Sequence, residues 1–582
     1  MKHTRILHFV CGMAMLIIPL CASAQYFTVG GIAYSVLSPT DHTVEVTYKN
    51  SYYHGNISIP STVTYSGTEY DVVALGEEAF YRASLTGISI PSSVTQIKSS
   101  CFLFATLPST ISVPASVTEI WERAFAAYSL SSIDVDTANP VYRTIDGMLF
   151  SRDTATLIEC PIGKGGAITL PQNTRHIAPC AFIYCQSVTG IALPQGLQSI
   201  GYWAFLYNSS LNNVVIPSSV TQIDDNVFGG CEALTSLTLA EGNTHYMMDG
   251  LMLYTINGDT LLSCHKSADS VFLHSGLRAV GGFGMNNNVR YIHVPEGVTT
   301  ILNNAFNSSS VVAVDLPEEM DLIEGYAFSG CMSLTRVAMP SRLGLMGEGC
   351  FRECIRLTSV EIPDSLREIP NSAFFMCIKL KDVAMGNAVE TIGQYAFGDC
   401  NIVEVQLPPT LRTIRQGAFI GDYPGTAKLR RVYFSGPIDT IEQEVFYKQH
   451  LDKLQFANAM PPVSDYDYGC LFDATVDTIA IPCGSLSTWL ADGYWGQFAD
   501  KYLEDCDGIE ETTSDNVKIL TAIGELRILG AEGEPIHVFD ALGRLVFRSA
   551  RATDSETIPL PSSGAYIVRI GNLQSRKVIA LK

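Results

Sequence analysis

Residues 357–379 read LTSVEIPDSLREIPNSAFFMCIK, and this stretch contains the pattern that decides the fold. Val360 and Ile362 alternate with polar residues, which predicts a short strand with one buried side, because side chains alternate along a strand. Pro363 ends that strand, since proline cannot donate a hydrogen bond to a ladder. Phe374 follows on the return path as a large apolar residue that a single coil cannot bury by itself.

The same pattern returns along most of the chain every 22–23 residues. A fixed period of this length is typical of a solenoid, in which each coil buries its apolar side against the next coil. We therefore predict stacked coils whose strands lie about 4.8 Å apart, with a continuous column of apolar side chains inside. The phenylalanines that mark the period are Phe80, Phe102, Phe125, Phe182, Phe205, Phe228, Phe283, Phe306, Phe328, Phe351, Phe374, Phe397 and Phe419.

The cysteines follow the same period. Their regular spacing favours a column of small buried thiols, because stacking alone explains it and no C-x2-C pair is present. A disulfide framework stays open as an alternative, because cysteines one coil apart lie within bonding reach. The cysteines that come three residues after a repeat phenylalanine are Cys185, Cys231, Cys331, Cys354, Cys377 and Cys400.

The amino-terminal residues 1–24 have the pattern of a signal peptide. Lys2 and Arg5 precede an apolar run, and Ala22-Ser23-Ala24 has the small residues of a cleavage site. No other segment approaches 18 consecutive apolar residues, so we expect no transmembrane helix. The net charge of -21 argues against nucleic acid as a partner, because phosphate binding requires clustered Lys and Arg.

Three other segments depart from the regular repeat. Two interruptions near 136–166 and 241–270 share one pattern and are predicted to be inserted β-hairpins. Residues 448–508 are interpreted as degenerate repeats and a carboxy-terminal cap, with Trp489 and Trp495 covering the open end of the stack. The alternative for these two tryptophans is carbohydrate stacking.

The outward positions of the predicted strands change character along the chain. In the first half they are small or neutral, and in the second half they are charged, polar or large. Because Arg and Tyr are favoured at interfaces, we hypothesise that a protein partner binds the coils from about 291 to 433. The alternative is a solvated sheet face without a ligand. The candidate partner-binding residues are His293, Asp315, Arg336, Glu361, Asp382, Glu404, Gln406, Arg431 and Tyr433.

Sequence motifs for catalysis are missing. The chain contains no HExxH, no Walker loop and no G-x-S-x-G elbow. Cys264-His265 are adjacent, but Cys264 has a structural explanation because the insert that contains it is duplicated. We therefore predict that the protein is not an enzyme and has no catalytic residue, cofactor or metal.

The repeat resembles the BspA-like class of bacterial leucine-rich repeats. The resemblance rests on Leu-Thr-Ser-Val-Glu-Ile-Pro, on the Ala-Phe-x-x-Cys that follows it, and on the inserts, and it covers about residues 26–447. It implies a β-rich leucine-rich-repeat solenoid with a parallel concave sheet and short helical turns. We divide it into an N-terminal β cap at 25–56 and repeats at 57–447. Members are typically secreted or surface proteins, and some are adhesins.

The last 66 residues, 517–582, lose the repeat period and alternate as short antiparallel strands, which predicts a β-sandwich after a linker at 509–516. Their sequence, with VFDALGRLV and GAYIVRI, resembles the C-terminal sorting domain of type IX secretion cargo. That resemblance implies the type IX secretion machinery as a partner and a location at the outer-membrane cell surface. A plain immunoglobulin-like accessory module is the alternative.

Together these features predict an exported cell-surface protein that mediates protein–protein interaction. Adhesion to host matrix or to other cells is the expected role, with extracellular or host proteins as partners. The alternative is an outer-surface structural or glycan-binding component without a host protein ligand.

Overall fold

A computed structural model defines the fold. It describes residues 26–49, 51–264, 269–285, 289–425, 428–464 and 468–505. In the carboxy-terminal part it describes 512–514, 517–522, 525–529, 531, 534–540, 544–549, 553, 555–560, 564–570 and 576–580. The expected signal peptide lies outside the described residues, and so does His265 of the Cys264-His265 pair.

The chain forms two compact units. The first comprises Met1–Gly386, Gly393–Asn401 and Tyr423–Thr426, and the second comprises Asn387–Ile392, Ile402–Asp422 and Ala427–Lys582. Strands of the first unit, in chain order, are β1 (Tyr26–Val29), β2 (Ile32–Ser38), β3 (Thr43–Val46), β4 (His54–Ser58), β5 (Thr62–Tyr65), β6 (Thr68–Leu75), β7 (Ser84–Ser89), β8 (Gln96–Ile97), β9 (Thr110–Val113), β10 (Glu119–Ile120), β11 (Ser132–Val135), β12 (Tyr142–Ile145), β13 (Met148–Ser151), β14 (Thr156–Glu159), β15 (Gly166–Thr169), β16 (His176–Ile177), β17 (Val188–Ala192), β18 (Ser199–Ile200), β19 (Asn213–Ile216), β20 (Gln222–Ile223), β21 (Ser236–Leu239), β22 (Tyr246–Asp249), β23 (Met252–Thr255), β24 (Thr260–Cys264), β25 (Ser270–Phe272), β26 (Ala279–Val280), β27 (Tyr291–His293), β28 (Thr300–Ile301), β29 (Ala313–Asp315), β30 (Leu322–Ile323), β31 (Arg336–Val337), β32 (Leu345–Met346), β33 (Ser359–Glu361), β34 (Glu368–Ile369) and β35 (Asp382–Ala384).

The second unit continues with further strands and two short helices. They are β36 (Thr391–Ile392), β37 (Glu404–Leu407), β38 (Thr413–Ile414), β39 (Arg431–Phe434), β40 (Thr440–Ile441), β41 (His450–Gln455), β42 (Thr475–Pro482), α1 (Leu486–Leu490), a 3-10 helix (Trp495–Lys501), β43 (Tyr502–Asp505), β44 (Thr512–Ser514), β45 (Val517–Ala522), β46 (Glu525–Leu529), β47 (Ile536–Asp540), β48 (Leu545–Ser549), β49 (Ser555–Pro559), β50 (Gly564–Ile570) and β51 (Arg576–Ala580). No helix within the described ranges has both the length and the apolar character that a bilayer crossing requires.

Each regular coil contributes two parallel strands. The longer one, which we call the face strand, pairs with the face strand of a neighbouring coil, as β27 pairs with β29 through Ile292 and Val314. The two-residue return strand does the same, as β28 pairs with β30 through Ile301 and Ile323. Equivalent residues of adjacent coils therefore lie side by side, which confirms the predicted solenoid of stacked parallel strands.

A third ladder runs through the turns that carry the phenylalanines. Phe306 donates its backbone N–H to the carbonyl of Ala327 at 2.7 Å, and Phe328 donates to that of Cys350 at 2.7 Å. The rings stack with the same spacing, with centroids 4.9 Å apart for Phe306 and Phe328 and 5.1 Å apart for Phe328 and Phe351. Each of these rings is fully buried, so they form the core that the period predicts.

The periodic cysteines are free buried thiols in this structure. The Cys354 thiol lies 3.2 Å from the carbonyl oxygen of Phe328, and the Cys377 thiol lies 3.1 Å from that of Phe351. Each of these two thiols therefore donates a hydrogen bond to a phenylalanine carbonyl of the preceding coil. Asn208 occupies the equivalent place in its own coil and donates to the Phe182 carbonyl at 2.7 Å.

The two interruptions form equivalent three-stranded units. In the first, β12 and β13 pair antiparallel, β13 and β14 pair antiparallel, and β14 then pairs parallel with β16. In the second, β22, β23 and β24 repeat this arrangement, and β24 pairs parallel with β26. The last strand of each insert thus replaces a return strand in the stack.

The carboxy-terminal domain consists of two antiparallel four-stranded sheets. One has the order β44-β45-β46-β49 and the other has the order β48-β47-β50-β51. Leu526 and Ile558 from the first sheet pack in one apolar cluster with Val538 and Val568 from the second. This confirms the predicted antiparallel β-sandwich, although β44 already begins within the segment that was expected to be a linker.

Candidate binding surfaces

The face strands of the first unit carry five of the nine candidate residues. His293, Asp315, Arg336, Glu361 and Asp382 are all exposed, because they alternate with buried apolar residues on their strands. His293 lies directly beside Asp315 in the parallel pairing of β27 with β29. Neither Arg336 nor Glu361 has an ion-pair partner among the described residues. The Arg336 and Glu361 side chains are therefore available to a ligand, whereas the Asp382 carboxylate lies 3.5 Å from the Lys381 Nζ.

Sequence reasoning missed two aromatic residues on the same face strands. Phe272 is 77% exposed and Tyr291 is 45% exposed. Phe272 on β25 lies beside His293 on β27. The alternation of Ser270, Val271 and Phe272 was the available signal, but the predicted insert near 241–270 ends at the start of this strand.

The second unit brings the other four candidates together. Glu404 pairs across from Arg431, and Gln406 pairs across from Tyr433, on the adjacent strands β37 and β39. The Arg431 Nε lies 2.8 Å from the Glu404 Oε2, and both side chains are about half exposed. Tyr433 is half-buried, with the Lys453 Nζ 6.0 Å from its ring centroid. The result is a mixed polar and aromatic surface whose ion pair contributes little to stability.

Beyond this surface, three side chains on β41 and β42 offer potential metal ligands. The ligand atoms of His450, Asp452 and Asp477 all lie within 4.8 Å of one another. The His450 Nε2 is 3.5 Å from the Asp477 Oδ2, and its Nδ1 is 2.6 Å from the Thr475 Oγ1. Arg430 already pairs with Asp452 at 2.9 Å. The group is therefore an exposed charge network, and we assign no metal to it.

The carbohydrate-stacking interpretation of Trp489 and Trp495 is wrong. Both side chains are 0% exposed and cannot reach a sugar. Their ring centroids lie 4.9 Å and 5.3 Å from that of Phe456, and the Trp495 Nε1 donates to the carbonyl of Pro462 at 2.7 Å. They cover the apolar core because a terminal coil has no following coil to bury it.

The free cysteines among the described residues and the carboxyl group of Glu159 are buried. Burial raises the pKa of Cys331 and of Cys470 to about 12, whereas a nucleophilic thiol needs a lowered pKa. Glu159 is 3% exposed, and burial raises its pKa to about 8. The Phe125 N–H donates to both of its oxygens, at 3.1 Å and 3.2 Å. In the regular coils, the equivalent phenylalanine N–H donates to a backbone carbonyl of the next coil. The Glu159 carboxyl group therefore takes the place of that carbonyl where the first insert interrupts the ladder.

Comparison with solved structures returns other leucine-rich repeat proteins. One is a leucine rich cell surface protein from Faecalibacterium prausnitzii, 24% identical, with 62% of this chain and 95% of that chain covered and a TM-score of 0.35. A leucine-rich repeat protein from Bacteroides ovatus is 21% identical, with 77% and 98% covered and a TM-score of 0.35. The pneumococcal vaccine antigen PcpA is 16% identical, with 68% and 94% covered and a TM-score of 0.31. No curated protein matches the chain.

Family comparison assigns both parts of the chain. Residues 507–580 match DUF6383, a domain of unknown function. Residues 73–163, 164–257, 258–381 and 345–470 match the BspA type leucine rich repeat region. These matches cover more than half of the chain, and they coincide with the stacked coils described above. The protein therefore belongs to the BspA-type leucine-rich repeat family.

Proposed function

We propose that this protein is exported to the cell surface and binds other proteins through its face strands. Adhesion to host matrix proteins or to other cells is the role that we assign to it. The observation that carries the proposal is a contrast within the repeats. The stacked phenylalanine rings are fully buried, whereas rows of charged and aromatic side chains are exposed on the face strands. A solenoid of this kind presents an extended surface on which a partner can bind.

The chemistry of the exposed positions favours a protein partner. Arg336, Arg431 and Tyr433 are residue types that dominate binding energy at protein interfaces. Phe272 and Tyr291 add exposed aromatic surface that no described residue covers. A partner that buries these side chains would gain apolar contacts and charge-assisted hydrogen bonds from the same strands.

Export is the second part of the proposal. The amino-terminal pattern of residues 1–24 supports it, as does the disulfide at Cys483, because disulfides persist in oxidising compartments. We assign the carboxy-terminal sandwich the role of a type IX sorting domain on its sequence resemblance. Fractionation of cells that produce the chain with and without residues 509–582 tests this assignment. Surface location of the shortened chain would contradict it.

Binding is tested with the purified full chain by biolayer interferometry against immobilised collagen, fibronectin and laminin. We expect at least one of them to bind. Arg336→Ala and Arg431→Ala should each weaken that binding about tenfold, which is the effect of losing about 1.4 kcal/mol at an interface.

Ser112→Ala is the matched control, since Ser112 has an outward position on β9 in the first half of the repeats. Its affinity should equal that of the unchanged protein. Equal affinities of all three variants would show that the face strands do not form the binding surface. Binding to none of the matrix proteins would favour the structural alternative.

A further inference from the structure

A cavity of about 430 Å³ opens beside the second insert in the first unit. Tyr202, Trp203, Asp224 and Asp225 line one part of it, and Ile223, Asn303 and Asn304 line the rest. Its volume is within the range of small-ligand sites in proteins. It combines two aromatic rings with two carboxylates, and none of the described residues that line it is a lysine or an arginine.

A shortened turn follows the second insert. In most regular coils the phenylalanine comes five residues after the return-strand isoleucine, as Phe228 does after Ile223. In the coil that follows the second insert, Phe283 comes three residues after Val280, and Gly281-Gly282 fill the interval. This turn is two residues shorter and closely packed, because a Cβ atom on Gly282 would lie 2.3 Å from the Ser263 Cα and one on Gly281 would lie 3.1 Å from the Leu302 Cδ1.

The cavity carries negative charge that no described residue neutralises. Asp225 is half-buried, and its side chain has no hydrogen-bond or ion-pair partner among the described residues. Burial, together with the charges of Glu324 and Asp224, raises its pKa to about 6. A cation bound beside these carboxylates would offset their repulsion and favour their charged form.

The first insert offers an internal comparison, because the coils that precede the two inserts align residue by residue, Ile120 to Phe125 with Ile223 to Phe228. There, Glu122 accepts a hydrogen bond from the Tyr202 hydroxyl across the insert, and Arg123 adds a positive charge nearby. The residue equivalent to Glu122 at the second insert is Asp225, and the residue equivalent to Arg123 is Asn226. Asn226 is neutral and donates to the backbone carbonyl of Asn304 at 2.7 Å. Among the described residues, a positive charge therefore stands at this position beside the first insert and not beside the second.

The aromatic side chains define what kind of cation fits. Tyr202 and Trp203 meet edge to face, with their ring centroids 5.8 Å apart, and both are half-buried. An aromatic face attracts an organic ammonium group, and the attraction increases as water is excluded. Asn303 and Asn304 also line the cavity and contribute amide groups.

We propose that this cavity binds a ligand that carries a primary ammonium group, held by the Asp224 and Asp225 carboxylates against the Tyr202 and Trp203 rings. A lysine side chain of another protein and an amino sugar both present this chemistry. The site is separate from the face strands, and it does not depend on the proposed adhesion.

Isothermal titration calorimetry of the full chain with two matched probe pairs tests the proposal. Glucosamine is compared with glucose, and Nα-acetyl-lysine methylamide is compared with the neutral Nα-acetyl-norleucine methylamide. We expect at least one ammonium probe to bind at least tenfold more tightly than its neutral partner. The pair with the larger difference identifies the source of the ligand, a sugar or a lysine side chain.

Asp225→Asn is the test variant, because it removes the charge, keeps the shape and relieves repulsion within the fold. It should weaken ammonium binding about tenfold, whereas Glu232→Gln, at an exposed carboxylate outside the cavity, should leave it unchanged. The proposal is overturned if no probe binds below ~10 mM. It is also overturned if both neutral probes, glucose and the norleucine derivative, bind as tightly as their ammonium partners. A third contradicting result is that Asp225→Asn binds the ammonium probes as tightly as the unchanged protein does.

Discussion

Replacing Phe328 with alanine should loosen the stack locally rather than unfold the whole chain. Phe328 is 0% exposed and lies between Phe306 and Phe351, with parallel rings on both sides. Truncation of a buried phenylalanine costs about 3–5 kcal/mol, which includes the lost ring contacts and the cavity left behind. We expect Phe328→Ala to cost about 4 kcal/mol, because the variant loses the ring contacts with two stacked neighbours.

Amide hydrogen exchange measures this loss residue by residue. Since 1.36 kcal/mol is a factor of ten, the amides of Phe306 and Phe328 should exchange about a thousandfold faster in Phe328→Ala. The amide of Phe102, which donates to Ala124 at 2.9 Å in a distant coil, should keep its protection. Phe272→Ala is the matched control, since Phe272 is 77% exposed, and it should change none of these rates. Equal acceleration at Phe102, or no acceleration at Phe306, would refute nearest-neighbour stacking of the coils.

Three further predictions concern buried groups. The pKa of Glu159 is raised from 4.5 to about 8, so the folded state binds the Glu159 proton more tightly than the unfolded state does. The free energy of unfolding should therefore fall as the pH rises between these two values. Glu159→Gln should remove this slope, which is at most about 1.4 kcal/mol per pH unit in urea titrations, and an unchanged slope would contradict the assignment. Thiol-labelling reagents should leave Cys354 and the other eleven free buried cysteines unmodified until the protein is denatured, and fast labelling of the native protein would count against their burial. Trp495→Ala should cost about 3–5 kcal/mol of stability without changing the signal on a glycan array, whereas a lost glycan signal in a folded variant would restore the sugar-binding interpretation.

Much of the fold was predictable, because the repeat places like residues in like environments. The phenylalanines, the strand alternation around Val360 and the paired inserts all follow from apolar periodicity. The turns gave no comparable signal. Ser372 and Met376 flank Phe374 with φ of 54° and 59°, although these residue types rarely adopt the left-handed region. The ladder of hydrogen bonds between coils, and not local preference, holds them there.

The donor role of the periodic cysteines was also not predicted, although the sequence contains a clue. Asn208 and Gln449 replace cysteine at equivalent positions, and each donates to the phenylalanine carbonyl of the preceding coil. A buried amide at a position otherwise occupied by cysteine indicates a hydrogen-bond requirement rather than simple packing.

The candidate sites depended more strongly on three-dimensional information. Outward strand positions were predictable from alternation, and eight of the nine candidates are exposed while Tyr433 is half-buried. The cavity was not predictable, because Asp225 and Asn303 come together only where an insert and a shortened turn interrupt the period. The burial of Trp489 and Trp495 likewise depends on the end of the stack and not on their own sequence neighbourhood.

The most direct test of a surface-displayed binding protein is the adhesion of intact cells to the immobilised matrix protein that binds the purified chain best. Cells that produce the full chain should adhere, and cells that produce it without residues 509–582, or with Arg336→Ala and Arg431→Ala combined, should adhere at least tenfold less. Equal adhesion of all three, at equal protein levels, would contradict the account.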